Sequence, residues 1–139
     1  MGAEPTDQVH RRYWRWYVNP DSGVAVAREE FLGLGFAGRA ALTAAIGRFR
    51  RHEELAGEVA KLTDTKDMWE IRVQVGSNPF RALFFYDTDI MCVCVSALYK
   101  NQRKLPVTDK KTAVARKLRW EEEGSRRRQA EERADRRRD

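Results

Sequence analysis

Only two cysteines, Cys92 and Cys94, occur in 139 residues. They stand two apart in an apolar run, so on a strand both point the same way. Such a pair is expected to be buried and reduced, as in a cytosolic chain, rather than bridged. A disulfide-stapled secreted scaffold is therefore not expected. No apolar stretch is long enough to span a bilayer, and the start of the chain has no signal-peptide core. The expected location is cytoplasmic, with no membrane partner. Histidine is also scarce. His10 and His52 are isolated, and no spaced ligand cluster surrounds either. No metal and no cofactor are expected. There is no glycine-rich phosphate loop, no nucleophile elbow and no internal repeat.

Charge, by contrast, is plentiful. Lys and Arg total 27 against 21 acids, giving a formal net charge of +6. That balance suits a polyanionic partner, usually nucleic acid, although many basic proteins bind none. The length fits one compact domain. The hydrophobic fraction of 42% allows a sizeable core.

Residues 1–10 are polar, contain Pro5, and read as a flexible arm. Tyr13, Trp14, Trp16, Tyr17 and Val18 favour a strand. The cluster Asn19-Pro20-Asp21-Ser22-Gly23 ends it with a turn. Val24, Ala27, Phe31 and Leu34 then fall at helical spacing, with a break near Gly35. A second helical stripe carries Leu42, Ala45, Ile46 and Phe49, with Arg48, Arg50 and Arg51 on the remaining surface. His52 is placed at the end of this helix, away from any cleft. From Asp67 the period changes to two. Trp69, Ile71, Val73 and Val75 take one face, while Glu70, Arg72 and Gln74 take the other. Gly76-Ser77-Asn78-Pro79 reads as a four-residue turn. Phe80–Tyr86 returns as a strand, Asp87-Thr88-Asp89 turns again, and Ile90–Leu98 forms a third strand, apolar on both faces. Pro106 stands near the start of a final helix through Ala113, Lys117 and Trp120. The expected fold is α+β: strand, two helices, three strands and a C-terminal helix around a mostly antiparallel sheet. The domain is set at 11–123. Residues 124–139 form an Arg-rich extension with seven arginines and four acids. The absence of an apolar stripe makes it a solvated helical tail, with direct RNA or ribosome contact as the other reading.

A four-residue turn would set Val75 against Phe80, Gln74 against Arg81 and Arg72 against Leu83. Arg72 and Arg81 then become diagonal neighbours on one face, about 7–8 Å apart. Two guanidinium groups so close call for an anion between them. Glu70, on the same face, supplies one candidate. A substrate phosphate supplies the other. After the third strand, Tyr99 leads directly into Lys100, Arg103 and Lys104. Fixed cations of this kind stabilise the charge that builds on a scissile phosphate. A lysine in such a field loses its proton more readily and serves as a base. With the RNA 2′-OH as nucleophile, no metal is required.

The stretch Leu62…Met68-Trp69-Glu70-Ile71-Arg72-Val73…Phe80-Arg81-Ala82-Leu83-Phe84-Phe85…Leu98-Tyr99-Lys100-Asn101-Gln102-Arg103-Lys104-Leu105-Pro106 resembles the RelE/HigB-like toxins of type II toxin–antitoxin systems, in particular the phage-derived Gp49-like branch. The resemblance covers residues 62–106. It implies a RelE-like fold, and it places the family's basic positions on Arg72, Arg81, Lys100 and Lys104. Departures are Leu98 where the family has an aromatic residue, Asn101 where it has a second lysine, and Leu105 before the proline.

By this resemblance the chain is expected to be an endoribonuclease, an mRNA interferase that cleaves on the translating ribosome and is neutralised by a helix-turn-helix antitoxin. Arg81, Lys100 and Lys104 are the expected catalytic residues, with Lys100 or Lys104 as base and Arg81 as transition-state stabiliser. Arg72, Tyr99 and Arg103 are the expected substrate-binding residues, with Arg72 paired structurally to Glu70. Two rivals share the fold: a ParE-type toxin that binds DNA gyrase, and a non-catalytic phage-derived binding module. Trp14 and Trp16 are expected in the core. If exposed instead, they or an apolar face on the final helix would mark where an antitoxin docks.

Overall fold

A computed structural model describes residues 11–99 and 104–138. The order is β1 (Tyr13–Trp16), α1 (Val26–Leu32), α2 (Phe36–Arg50), β2 (Val59–Lys61), β3 (Trp69–Val75), β4 (Asn78–Tyr86), β5 (Met91–Tyr99) and α3 (Val107–Arg138). The five strands form one sheet in the order β1-β5-β4-β3-β2. Every neighbouring pair is antiparallel except β1 with β5. The expected α+β class and mostly antiparallel sheet are therefore observed.

One element differs from expectation. β2 is a three-residue edge strand, Val59 to Lys61, paired with Trp69–Ile71. Three residues are too few for alternation to show, and only the partner strand identifies them.

The two faces of the sheet are covered differently. On one, α2 buries Leu42, Ala45, Ile46 and Phe49. Phe49 packs on Phe84, ring centroids 4.9 Å apart, and Trp14 packs on both. Trp14 and Trp16 are thus partly buried and packed against the core, as expected. On the other face lies the first half of α3. Its Ala113 is fully buried, Lys117 sits over the Phe85 ring, and Arg116 sits over Tyr17. Arg116 also donates to the Val95 carbonyl and Ser96 Oγ and pairs with Glu30, which accepts from the Ala97 amide. β1 reaches only as far as Cys94, so α1 supplies the bond that the remaining β5 edge would otherwise lack. Cys92 and Cys94 are both buried and free. Burial pushes the Cys92 thiol up to about 12 and raises that of Cys94 further.

His52 follows α2 with φ of 60°, ending the helix in the left-handed conformation common just beyond helix C-termini. α2 approaches the sheet tightly at Gly38, where an added Cβ would come within 2.4 Å of the Phe80 ring. Phe80 is buried and lies 5.1 Å from the Tyr99 ring, so it has little room to retreat. Gly38→Val is expected to lower stability by about 1–3 kcal/mol through overpacking. Urea unfolding checks it, and an unchanged midpoint would show that the Phe80 ring yields freely.

Candidate active site

The site begins with the β3–β4 turn. The loop between these strands has two residues, Gly76 and Ser77, not four. Val75 pairs with Asn78, Gln74 with Pro79, and Arg72 directly with Arg81. This corrects the expected register, in which Arg72 opposed Leu83. Gly76 at φ 61° makes the tight turn possible, since a two-residue hairpin needs a positive φ at its first central position. Proline suggests a turn, but here Pro79 is inside the strand. Counting from the turn, Val75–Asn78 is a hydrogen-bonding pair and Gln74–Pro79 is not, so the missing proline N–H breaks no bond to β3.

The same count makes Arg72–Arg81 a non-hydrogen-bonded pair, whose Cα atoms lie about 4.5 Å apart with side chains close. The Arg72 amide points the other way and donates to the Glu58 carbonyl at 2.7 Å. The two guanidinium groups thus start from the same face, nearer than the diagonal arrangement allows.

Their environments differ. Arg81 is 3% exposed and its Nε lies 3.6 Å from Glu70 Oε2. Arg72 is exposed. Glu70 therefore pairs with Arg81, not with Arg72 as expected. A buried guanidinium needs a carboxylate more than an exposed one does, because water solvates the latter. Among the described residues, no carboxylate forms an ion pair with Arg72.

Arg72 lines an open groove of about 450 Å³ where β3 runs past the end of β2. Ala41 and Ala44 of α2 form one wall, and Arg48 and Glu58 sit within it. Arg48 is a neighbour that the sequence did not single out. It forms an ion pair with Glu58 through two hydrogen bonds, from Nε to Oε1 and from Nη2 to Oε2. That bonding holds the Glu58 carboxyl below its usual range and raises the Arg48 guanidinium. A lowered carboxyl stabilises the fold while ionised. Its contribution is full above the unfolded value near 4.5 and is lost as pH falls through the folded value. Glu58→Gln is expected to lower stability at neutral pH and to flatten its dependence on pH below about 4.5. Unfolding midpoints from pH 7 to pH 3 check this. An unaltered slope would exclude Glu58 as a source of acid sensitivity.

Tyr99 pairs with Phe80, one residue away from the Arg81–Leu98 pair, and so lies on the opposite face from Arg81. Its hydroxyl donates to Asn78 Oδ1 at 3.0 Å, and the residue is 42% exposed. Lys104 is exposed, next to Leu105, which is buried in the core. Lys100 and Arg103 lie outside the described residues. The structure brings Arg72, Arg81 and Glu70 together and sets Tyr99 across the sheet from them.

Residues 29–118 match the family described as phage derived protein Gp49-like. The chain belongs to this family of RelE/HigB-like toxins. It is 32% identical over 116 residues to the protein named "Probable endoribonuclease HigB1" from two strains of Mycobacterium tuberculosis, CDC 1551 / Oshkosh and ATCC 25618 / H37Rv. Those alignments cover 84% of this chain and 90% of each relative. The Gp49-like match contains β3, β4, β5 and both arginines of the close pair, so the geometry described here belongs to the shared part of the chain.

Proposed function

We propose that this Gp49-like protein is the toxin of a toxin–antitoxin pair, an endoribonuclease that cleaves mRNA at the ribosome. The observation that carries the reading is the exposed Arg72 set by register beside the buried Arg81–Glu70 pair. The formal charges of Arg72, Arg81 and Glu70 sum to +1, and Arg72, at the surface, forms no ion pair with a carboxylate among the described residues. The 32% identity to a protein named a probable endoribonuclease points the same way.

In the reaction, the RNA 2′-OH attacks the adjacent phosphorus and the bond to the 5′-oxygen breaks. The products are a 2′,3′-cyclic phosphate and a 5′-hydroxyl. Arg72 binds the phosphate and stabilises the charge that grows on it. Arg81, beside it on the neighbouring strand, adds positive potential and fixes Glu70. Lys104, anchored by buried Leu105, and Lys100 are the candidates to take the 2′-proton and return one to the leaving oxygen. Arg103 adds a phosphate contact. Tyr99, on the other face, serves as a base-stacking platform at the rim and not as a phosphate ligand.

A helix-turn-helix antitoxin is the proposed inhibitor. Val107 and Leu118, 66% and 53% exposed, line an apolar groove of about 560 Å³ along α3 with Val114, and we place its contact there.

The test is induction of the wild type beside Arg72→Ala and Lys100→Ala in bacteria, with mapping of mRNA 5′ ends. New ends within coding regions, lost in both variants, are expected. Growth arrest without new ends would overturn the nuclease reading in favour of a gyrase-type target. No arrest at all would leave a binding module.

A further inference from the structure

The second half of α3 has an uneven charge distribution that packing does not explain. α3 runs the length of the domain. It starts beside Lys104 and Leu105, passes Phe85 at Lys117, and reaches the β4–β5 turn, where Trp120, Gly124, Arg127 and Arg128 border a recess with Asp87. Beyond that turn it continues to Arg138 with every described side chain from 126 to 137 exposed. The body-facing side, traced through Ala113, Lys117, Trp120 and Gly124, therefore extends along Arg127, Arg128 and Glu131.

At about 100° per residue, Arg126, Arg133 and Arg137 fall within a narrow stripe on the side away from the body. Glu131, Glu132 and Asp135 fall on the opposite half. Helical neighbours three and four residues apart sharpen the contrast. Arg127 and Arg128 each have Glu131 at such a position, and Arg136 has Glu132. Arg126 forms a 3.4 Å ion pair with Glu123. Arg133 has no acid at either spacing, Arg137 has none three or four residues before it, and the two stand four apart from one another. Two like charges so placed destabilise a helix slightly unless an anion is shared between them.

We propose that the outer stripe of α3, centred on Arg133 and Arg137, is a second binding site for the sugar–phosphate backbone of RNA. Arginine suits it because a guanidinium binds phosphate through two parallel bonds. The inference rests on the ribonuclease reading for its choice of RNA. The stripe begins about 28 Å beyond the start of α3 and ends near 45 Å, at 1.5 Å per residue. At about 3.4 Å per nucleotide, an RNA reaching from Lys104, beside the start of α3, to Arg133 must extend on the order of twelve nucleotides. The arm thus acts on long RNA and not on short RNA.

The full chain is titrated with 2′-O-methyl RNA, which has no free 2′-OH and stays intact, as a 24-mer and a four-nucleotide oligomer over a range of salt. The pair Arg133→Gln/Arg137→Gln is compared with Arg127→Gln/Arg128→Gln, which removes the same charge from the body side. Circular dichroism verifies equal helix content. With the 24-mer, the outer pair is expected to lower the slope of log affinity against log salt by about 1.4, some 0.7 per lost phosphate contact. The inner pair is expected to change it little, and the four-nucleotide RNA to distinguish neither. Equal losses in both pairs would overturn the stripe, and so would an unchanged slope in the outer pair. Cleavage of unmodified RNA is scored separately, so a chain that binds as described but does not cut would refute the nuclease reading alone.

Discussion

Arg72→Ala is expected to cut RNA cleavage by about 10²–10³-fold, the usual effect of removing one fixed donor from a developing phosphate charge. Stability should move by less than about 0.5 kcal/mol, because the side chain is exposed and has no carboxylate among the described residues. Arg72→Lys separates shape from charge. A lysine keeps the cation but not the two-pronged bond, so only partial rescue is expected. The measurement is kcat/KM on a defined RNA beside a urea unfolding curve. Full activity in Arg72→Ala would remove the exposed arginine from the site and shift the phosphate contact to Lys100, Arg103 and Lys104.

Arg81→Met is expected to act in the opposite sense, mainly on the fold. Removing one member of a buried ion pair leaves the other charged in a poor solvent, at a cost of about 3–5 kcal/mol. Arg81 is 3% exposed and Glu70 is its near partner. Adding Glu70→Met to Arg81→Met is expected to recover more than half of that loss, since the double variant removes both members of the Arg81–Glu70 pair. The double variant should be folded and inactive. That outcome separates a role in holding the site from a role in folding the chain. A double variant no more stable than Arg81→Met would show that Glu70 is not the partner that matters, and an active one would exclude Arg81 from the chemistry.

The sequence determined the elements whose signal is local. Alternation in Trp69–Val75 places Glu70 and Arg72 on one face whatever the neighbours are. The spacing of Leu42, Ala45, Ile46 and Phe49 defines the buried side of α2. Gly35 and Pro106 mark boundaries, the first because glycine readily takes its φ of 85°, the second because the proline ring fixes φ. The three basic segments, in order, identified the family.

Tertiary structure decided what depends on pairing between distant segments. Asn78-Pro79 reads as turn in sequence and is strand in the fold, because strand pairing spares the one N–H that proline lacks. That shift of register turned Arg72 and Arg81 from diagonal neighbours into a direct pair. β2 exists only through its partner. Which arginine takes Glu70 was set by burial, a property of the packed sheet and helix, and no residue pattern encodes it. Likewise, the arginines of α3 are a simple charge run until the body fixes which side of the helix faces outward.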